Sequence, residues 1–323
     1  MITISLCMIV KNEEKVLDRC LAPLVPLVDE IIIADTGSTD RTKEIALRYT
    51  DKVYDYQWEN DFSKARNFVF SKATMDYIYS ADADEILDEE NRKRFRILKE
   101  AMLPEIDIVQ MYYVNQLSYN TVYNYDKEYR PKLFKRIRTF QWIDPIHETI
   151  RTEPVIFDSD IEILHCPEGS HAGRDLDVLF SLWQKGEPLS RRLREMYARE
   201  LMIAGTESDF AKAAPTFQSF LLQPGLSVDE IKEACCILAF DAFYEDDLPA
   251  LFTNVLKVIA ADGCSEICCL LGDYYSKREE WDDAVLWYQN AAYETAPILN
   301  IQYKEAYPLK RLSELKQKHL PSI

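Results

Sequence analysis

The first 80 residues alternate between short apolar runs and helical patterns, and this alternation constrains the fold more than any other feature. Apolar runs occur in "TISLCMIV", "DEIIIADT" and "KVYDYQW", and another begins at Tyr77. Continuous runs of this kind are typical of strands buried on both faces. Helical patterns separate them, which favours right-handed crossovers and a parallel sheet. The sequence therefore predicts an α/β domain at the start of the chain.

The pattern changes after about residue 100. The extended segments "DIVQMYYVNQL", "YRPKLFKRI" and "VIFDSDIEILHC" follow one another without the regular helical patterns between them. This arrangement is typical of antiparallel or mixed sheet. We expect these strands to extend the parallel core.

From about Gly173 onward the sequence pattern predicts helices almost throughout. Three segments that begin near Met196, Glu233 and Cys268 form a weak internal repeat, and each predicts a helical hairpin. The last has the order of small and large residues that is typical of a tetratricopeptide unit: Leu271, Gly272, Tyr275, Trp281, Ala284, Tyr288 and Ala291, with Pro297 nearby. We expect a short solenoid, with an irregular helical bundle as the alternative.

Composition narrows the classes of partner. The net charge of -17 over 323 residues argues against a nucleic-acid backbone as the main ligand and suits a bound cation. No run of apolar residues is long enough to span a membrane, and the start "MITISLCMIVKNEE" lacks the features of a secretory signal. The eight cysteines form no paired CxxC motifs, so a reducing cytoplasm is the expected setting.

Polar motifs follow each of the first four predicted strands. They are "IVKNEE", "ADTGSTD", "WENDFSKARNF" and "SADADE". Ligands bind at the carboxyl edge of open parallel sheets, so these motifs predict a site there. Asp82 and Asp84 are two apart in a predicted strand and would face the same side. Two such carboxylates are suited to share Mg²⁺ or Mn²⁺, whereas Asp88, Glu89 and Glu90 suit the start of the next helix.

With these four motifs in order, the chain resembles the family 2 glycosyltransferases of the GT-A fold. The resemblance is greatest to a cytoplasmic bacterial branch with helical repeats after the catalytic domain, which includes enzymes that glycosylate peptides. It implies a GT-A catalytic domain over 1–172, a linking helix over 173–190 and a tetratricopeptide-like domain over 191–323. The implied reaction is inverting, metal-dependent transfer from a UDP-sugar to a peptide, protein or glycan acceptor, with Mn²⁺ or Mg²⁺ as cofactor.

The resemblance also assigns roles to individual residues. Asp35 would bond the uracil, Asp82 the ribose or base, and Asp84 the metal that bridges both phosphates. The other implied donor contacts are Asn12, Glu13, Gly37, Arg66 and Arg130, and His165 is an implied third metal ligand. Structural alternatives stay open: Asn12 and Asp40 as helix caps, Arg66 and Arg130 as solvated cations, and His165 as a core or edge histidine.

Inverting transfer needs a base for the acceptor proton, worth roughly 10² to 10⁴ in rate. The segment "FQWIDPIHETI" offers Asp144, His147 and Glu148. We favour Glu148 as the base, with His147 orienting it or contacting the diphosphate. A buried His–Glu pair is the structural alternative. Arg151 stands where a zinc protease motif needs its second histidine, so that class is not supported.

Two other classes of function compete with sugar transfer. A nucleotidyltransferase would be expected to show a Gly-rich phosphate loop after the first strand, but "VKNEEKV" contains no glycine. A catalytically inactive scaffold would use the repeats to bind a peptide, and the intact acidic motifs argue against it. The repeats could also form a homodimer.

Overall fold

The computed structural model describes residues 1–114, 127–138, 140, 142–143, 149–150, 154–166, 172–186 and 189–318. The chain divides into two compact units, Met1–Ser170 and His171–Ile323.

The described strands of the first unit are β1 Ile4–Val10, β2 Glu30–Asp35, β3 Val53–Asp55, β4 Tyr77–Ser80, β5 Glu85–Ile86, β6 Ile108–Val114, β7 Glu128–Lys135, β8 Trp142–Ile143, β9 Thr149–Ile150 and β10 Ile156–His165. Within the described residues, eight of them form one sheet in the order β3-β2-β1-β4-β7-β6-β10-β5. The pairs β1–β2, β1–β4 and β2–β3 are parallel, whereas β7 is antiparallel to β4 and β6. The predicted change from parallel to mixed sheet is confirmed.

Helices cover the sheet and supply its core. They are α1 Leu17–Leu24, α2 Thr42–Ala46, α3 Phe62–Phe70 and α4 Glu89–Ala101. Leu17 and Leu21 of α1 are fully buried with Leu6 and Met8 of β1. Burying each such side chain contributes about 1.5–3 kcal/mol, so this packing fixes the strand ends on which the loops are carried.

The second half of the acidic stretch after β4 lies at the start of a helix, as the sequence predicts. Asp88 is the N-cap of α4, and its carboxylate accepts a hydrogen bond from the Asn91 N–H at 2.8 Å. Glu89 and Glu90 lie in the first turn, where the helix dipole favours negative charge. This part of the cluster is therefore structural.

The described part of the second unit is helical. Its helices are α5 Ala172–Gln184, α6 Arg191–Ala204, α7 Glu207–Leu221, α8 Val228–Tyr244, α9 Leu248–Ile259, α10 Ser265–Lys277, α11 Trp281–Gln289 and α12 Ala306–Lys318, with a π-helical turn at Asn290–Glu294. Tyr197 of α6 packs on Phe217 of α7, α8 packs on α9, and α10 packs on α11. The second and third predicted hairpins, α8–α9 and α10–α11, are therefore present, whereas α7 packs mainly on α8 rather than on α6. No helix among the described residues is long and apolar enough to cross a membrane.

The last hairpin is closed by a glycine against an aromatic ring. A Cβ atom at Gly272 in α10 would lie 2.5 Å from Cε1 of Tyr288 in α11, a distance that real Cβ contacts essentially never show. Tyr288 is fully buried, so its ring has little room to move. The alternation of small and large residues in this segment therefore reflects close packing of two helices.

Candidate active site

Two loops at the carboxyl edge of the sheet are joined by Asn12. Its Oδ1 accepts a hydrogen bond from the Thr39 N–H at 2.8 Å, and its own N–H donates to Ser38 Oγ at 2.9 Å. Asn12 has a φ of 56°, and α1 begins only at Leu17, with Val16 at the N-cap. The interpretation of Asn12 as a helix cap is wrong, because its backbone is left-handed and its side chain bonds the loop after β2.

Asp35 ends β2 and is 3% exposed. Its Oδ1 accepts hydrogen bonds from the N–H groups of Gly37 at 2.9 Å and Ser38 at 2.7 Å. Gly37 has a φ of 101°, which favours glycine. The turn thus fixes the Asp35 carboxylate at the sheet edge.

Two further contacts hold the loops after β1 and β2. The Glu13 N–H donates to Thr42 Oγ1 at 2.6 Å. Asp40 Oδ1 accepts from the N–H of Thr42, the first residue of α2, at 3.0 Å, and Asp40 Oδ2 accepts from the Glu14 N–H at 3.2 Å. Asp40 therefore bonds the first residue of α2, although the N-cap position itself is Arg41, and the Glu13 backbone is joined to that same residue.

Arg66 lies on α3 and is buried, at 9% exposure. Its Nη1 donates to Ser80 Oγ at 3.1 Å and its Nη2 to Asp82 Oδ1 at 2.8 Å. The guanidinium carbon lies 5.1 Å from the ring centre of Trp142. The alternative of a solvated surface cation is wrong, because Arg66 connects the end of β4 to the acidic motif.

Asp82 lies beyond the strand expected to carry it. β4 ends at Ser80, and a turn follows in which the Glu85 N–H donates to the Asp82 carbonyl at 3.2 Å. The prediction that strand alternation directs Asp82 and Asp84 to one side is therefore wrong. Burial opposes ionisation of Asp82, but the positive charges of Arg66 and Lys132 outweigh it and lower the pKa of this carboxyl.

Asp84 lies against the end of β10. Its Oδ2 is 3.2 Å from Nε2 of His165, and both side chains are largely buried. The Cys166 N–H donates to the Asp84 carbonyl at 3.0 Å, so the backbone also holds the two segments together. The structure thus brings together Asp84 and His165, two residues predicted as metal ligands.

Glu85 and Lys132 form a buried ion pair beneath this site. Lys132 Nζ contacts Glu85 Oε1, and the two side chains are 6% and 3% exposed. Burial raises the pKa of Glu85 to about 7, with Lys132 opposing and Asp82 and Asp84 adding to the rise. Sequence reasoning missed Lys132 and gave Glu85 no role. The alternation of side chains in β7 could have indicated Lys132, because it lies two residues after Arg130, a predicted donor contact, and so shares its face of the strand.

Arg130 precedes Lys132 by two positions and covers the same ring. Its guanidinium carbon lies 3.9 Å from the centre of Tyr113, and its Nε donates to Glu128 Oε1 at 2.6 Å. Lys132 Nζ is 5.2 Å from the same ring centre. The positive charge of Arg130 also helps to lower the pKa of Asp82.

The three candidates for acid–base chemistry, Asp144, His147 and Glu148, lie outside the described residues. Their roles stay predictions. Among the described residues, no group of three or more His, Cys, Asp or Glu side chains is arranged to hold a metal by itself. A metal at Asp84 and His165 would need further ligands.

Residues 5–164 match the model of the family described as "Glycosyl transferase family 2". This domain belongs to glycosyltransferase family 2. The match runs from β1 to Leu164 in β10 and so includes Asp35, Arg66, Asp82 and Asp84 but not His165. The predicted resemblance to this family in the first part of the chain and the predicted fold class, a mixed sheet with flanking helices followed by a helical region, are confirmed.

Curated relatives of this chain include proteins of bacteria and of a bacteriophage. A "TPR repeat-containing protein" of Synechococcus elongatus is 49% identical over 87 residues, which are 27% of this chain and 22% of the relative. The "SPbeta prophage-derived glycosyltransferase SunS" of Bacillus subtilis is 38% identical over 119 residues, 35% of this chain and 28% of the relative. The matches thus span less than a third of the length of these relatives.

A further relative and a solved structure extend this comparison. The "Lipopolysaccharide core biosynthesis glycosyltransferase LpsC" of Rhizobium meliloti is 29% identical over 129 residues, 39% of this chain and 46% of the relative. A glucosyl-3-phosphoglycerate synthase of Mycobacterium tuberculosis, solved with Mg²⁺ and UDP, is 16% identical with a TM-score of 0.42. That match covers 58% of this chain and 81% of the synthase.

Proposed function

We propose that this protein is a metal-dependent, inverting glycosyltransferase that moves a sugar from a UDP-sugar to a peptide, protein or glycan acceptor. The carrying observation is the Asp84–His165 pair, with 3.2 Å between Oδ2 and Nε2, beside the buried Arg66–Asp82 pair. Membership of the first domain in a sugar-transferring family supports the reaction class. The acidic motif at the carboxyl edge of the sheet supports the donor class.

The donor atoms of Asp84 and His165 fit a divalent cation. Neighbouring ligands on an octahedral cation with bonds of about 2.1–2.2 Å lie about 3 Å apart, close to the observed separation. Mg²⁺ and Mn²⁺ are commonly held by one or two protein ligands together with substrate phosphates and water. When bound, such an ion stabilises the charge that develops on a departing diphosphate.

The residues of the chain itself would orient the donor. We assign Asp35 to the uracil, because its carboxylate is fixed by the turn at Gly37. Asn12 holds the loops after β1 and β2 in register with each other, and Arg66 holds Asp82 ionised for a contact to the ribose or base. Interactions that orient the donor accelerate transfer to the extent that they strengthen in the transition state.

The base and the acceptor belong to the proposal as predictions. Glu148 would take the acceptor proton, with His147 or Asp144 as the neighbouring candidates. The helical unit would bind a peptide or protein, because stacked helix pairs offer an extended surface. A homodimer through the same helices is the alternative use. All eight cysteines are free thiols, which supports a cytoplasmic location.

Thermal unfolding with UDP and Mn²⁺ tests this proposal. A ligand that binds only the folded state stabilises it by about 2.7 kcal/mol at a hundredfold excess over its dissociation constant. We expect UDP with Mn²⁺ to raise the unfolding temperature, and UDP with EDTA to raise it less. If no nucleoside diphosphate raises it with either Mn²⁺ or Mg²⁺, the proposed donor site is wrong.

A further inference from the structure

A buried lysine, Lys132, lies directly behind the acidic motif. Its Nζ contacts Glu85 Oε1 and is 3.9 Å from Asp82 Oδ2. The side chain is only 6% exposed, so it is shielded from a diphosphate that approaches through solvent. Neither the family match nor the proposed donor contacts give this residue a role.

The two oxygens of Asp82 face two different cations. Arg66 Nη2 donates to Oδ1 at 2.8 Å, and Lys132 approaches Oδ2. A carboxylate that faces a cation at each of its oxygens has one preferred orientation, because rotation would weaken both interactions. Arg66 comes from α3 and Lys132 from β7, so two separate elements fix the orientation.

Glu85 serves Lys132 rather than the ligand side of the site. Its Oε1 contacts Lys132, and its Oε2 is buried and accepts no hydrogen bond from the described part of the chain. A carboxylate buried in this way is stabilised mainly by its cation partner. Glu85 therefore acts as the anchor that keeps the ammonium of Lys132 in place behind Asp82.

We infer that Lys132, anchored by Glu85, is a positioning residue that fixes the orientation of the Asp82 carboxylate for binding of a nucleoside diphosphate with its metal. The inference rests on the proposed function. Its consequence is that loss of the Lys132 charge weakens UDP–Mn²⁺ binding and raises the donor KM more than it lowers kcat, because Lys132 acts through Asp82, a proposed donor contact, and is itself shielded from solvent.

The test compares a charge-free pair with a surface control. Lys132→Met alone would leave Glu85 buried without its cation partner and could prevent folding. The double variant Lys132→Met/Glu85→Gln removes both charges at similar volume. The control is Lys127→Met. Lys127 is exposed, lies just before β7 and pairs with Glu162, so this variant removes one positive charge from the surface. Calorimetric titration with UDP at saturating Mn²⁺ gives the dissociation constant of each protein.

We expect the double variant to bind UDP–Mn²⁺ at least tenfold more weakly than the wild type, and Lys127→Met to bind within twofold of it. Binding of the double variant within twofold of the wild type would overturn the role of Lys132. If the wild type itself fails to bind, the proposed function is wrong and this inference falls with it. If the double variant does not fold, Glu85→Gln alone is titrated: at least threefold weaker binding supports the inference, and unchanged binding overturns it.

Discussion

At the scale of single residues, the site is built from charges that are held by buried partners. Arg66 is 9% exposed and donates to Asp82, which lowers the cost of keeping a carboxylate at the end of a core strand. Asp84 has a different partner, His165. Two aspartates that are two positions apart in the motif thus have different partners, which suits the different roles proposed for them: Asp82 in orienting the donor and Asp84 as a metal ligand.

Asn12 provides a test at this scale. Asn12→Ala removes the acceptor for the Thr39 N–H and places an alanine at a φ of 56°. We expect a loss of about 1–2 kcal/mol in the free energy of unfolding, measured with urea, because both the hydrogen bond and the backbone conformation become unfavourable. Asn12→Gly loses only the hydrogen bond and should cost less. Equal losses in the two variants would show that the left-handed backbone has no energetic role.

Residue roles were predictable only where they depend on neighbours in sequence. Asp88 as an N-cap follows from the residues beside it, and the structure confirms it. Asn12 also precedes a helical pattern, but its side chain bonds a loop 27 residues away, which no local pattern encodes. Lys132 was missed for the same reason, since its partner Glu85 is 47 residues away.

At the scale of elements, Glu30 connects the amino ends of the parallel strands. Its carboxylate accepts hydrogen bonds from Lys52 Nζ at 2.5 Å and from the Thr74 N–H at 2.9 Å, and also from Ser5 Oγ. Burial opposes ionisation of Glu30, but these hydrogen bonds outweigh it and lower its pKa from 4.5 to about 2. The charge of the Glu30 carboxylate therefore stabilises the positions of β1, β2 and β3 and of the start of β4 relative to one another.

The pKa of Glu30 predicts acid sensitivity. Because the pKa is lower in the folded than in the unfolded state, the stabilisation is present above pH 4.5 and is lost as the pH falls toward 2. Glu30→Gln should cost on the order of 2–3 kcal/mol at pH 7 and flatten the stability profile between pH 5 and 3. Urea unfolding at several pH values measures both. An unchanged profile would mean that Glu30 does not supply this sensitivity.

Gly272 tests the packing of the last hairpin. Helix propensity alone predicts that Gly272→Ala stabilises a helix by about 1 kcal/mol. Contact with Tyr288 predicts the reverse, a loss of about 1–3 kcal/mol, because the added methyl group overlaps a buried ring. Urea unfolding of the variant decides between them. Lys277→Ala, an exposed change in the same helix, serves as the control and should be nearly neutral, and greater stability of Gly272→Ala would contradict the packing argument.

The elements themselves were largely predictable, but their ends were not. Apolar runs predicted β1, β2 and β4 because buried parallel strands need them. The run at Tyr77 was expected to carry Asp82 and Asp84, yet β4 ends at Ser80. The chain turns there because Asp82 is held by Arg66 and Lys132, side chains from other elements, and such contacts leave no periodic pattern.

At the scale of the whole molecule, a family 2 glycosyltransferase domain precedes a unit of paired helices. The net charge of -17 favours binding of a divalent cation by the glycosyltransferase domain. The same charge disfavours binding of a nucleic acid by the protein. The proposed division of tasks gives the donor to the first unit and the acceptor to the second. Its central claim is a metal-dependent donor site at Asp84.

Release of UDP from a panel of UDP-sugars tests this claim most directly. The wild type is compared with Asp84→Asn and with Glu89→Gln, a control that removes an exposed carboxylate from the same acidic stretch. We expect release that requires Mn²⁺ or Mg²⁺ and stops with EDTA. Asp84→Asn should lower the rate at least a hundredfold with an unchanged unfolding temperature, while Glu89→Gln keeps the wild-type rate. A metal-dependent rate retained by Asp84→Asn, or a wild-type rate that EDTA leaves unchanged, would contradict the account.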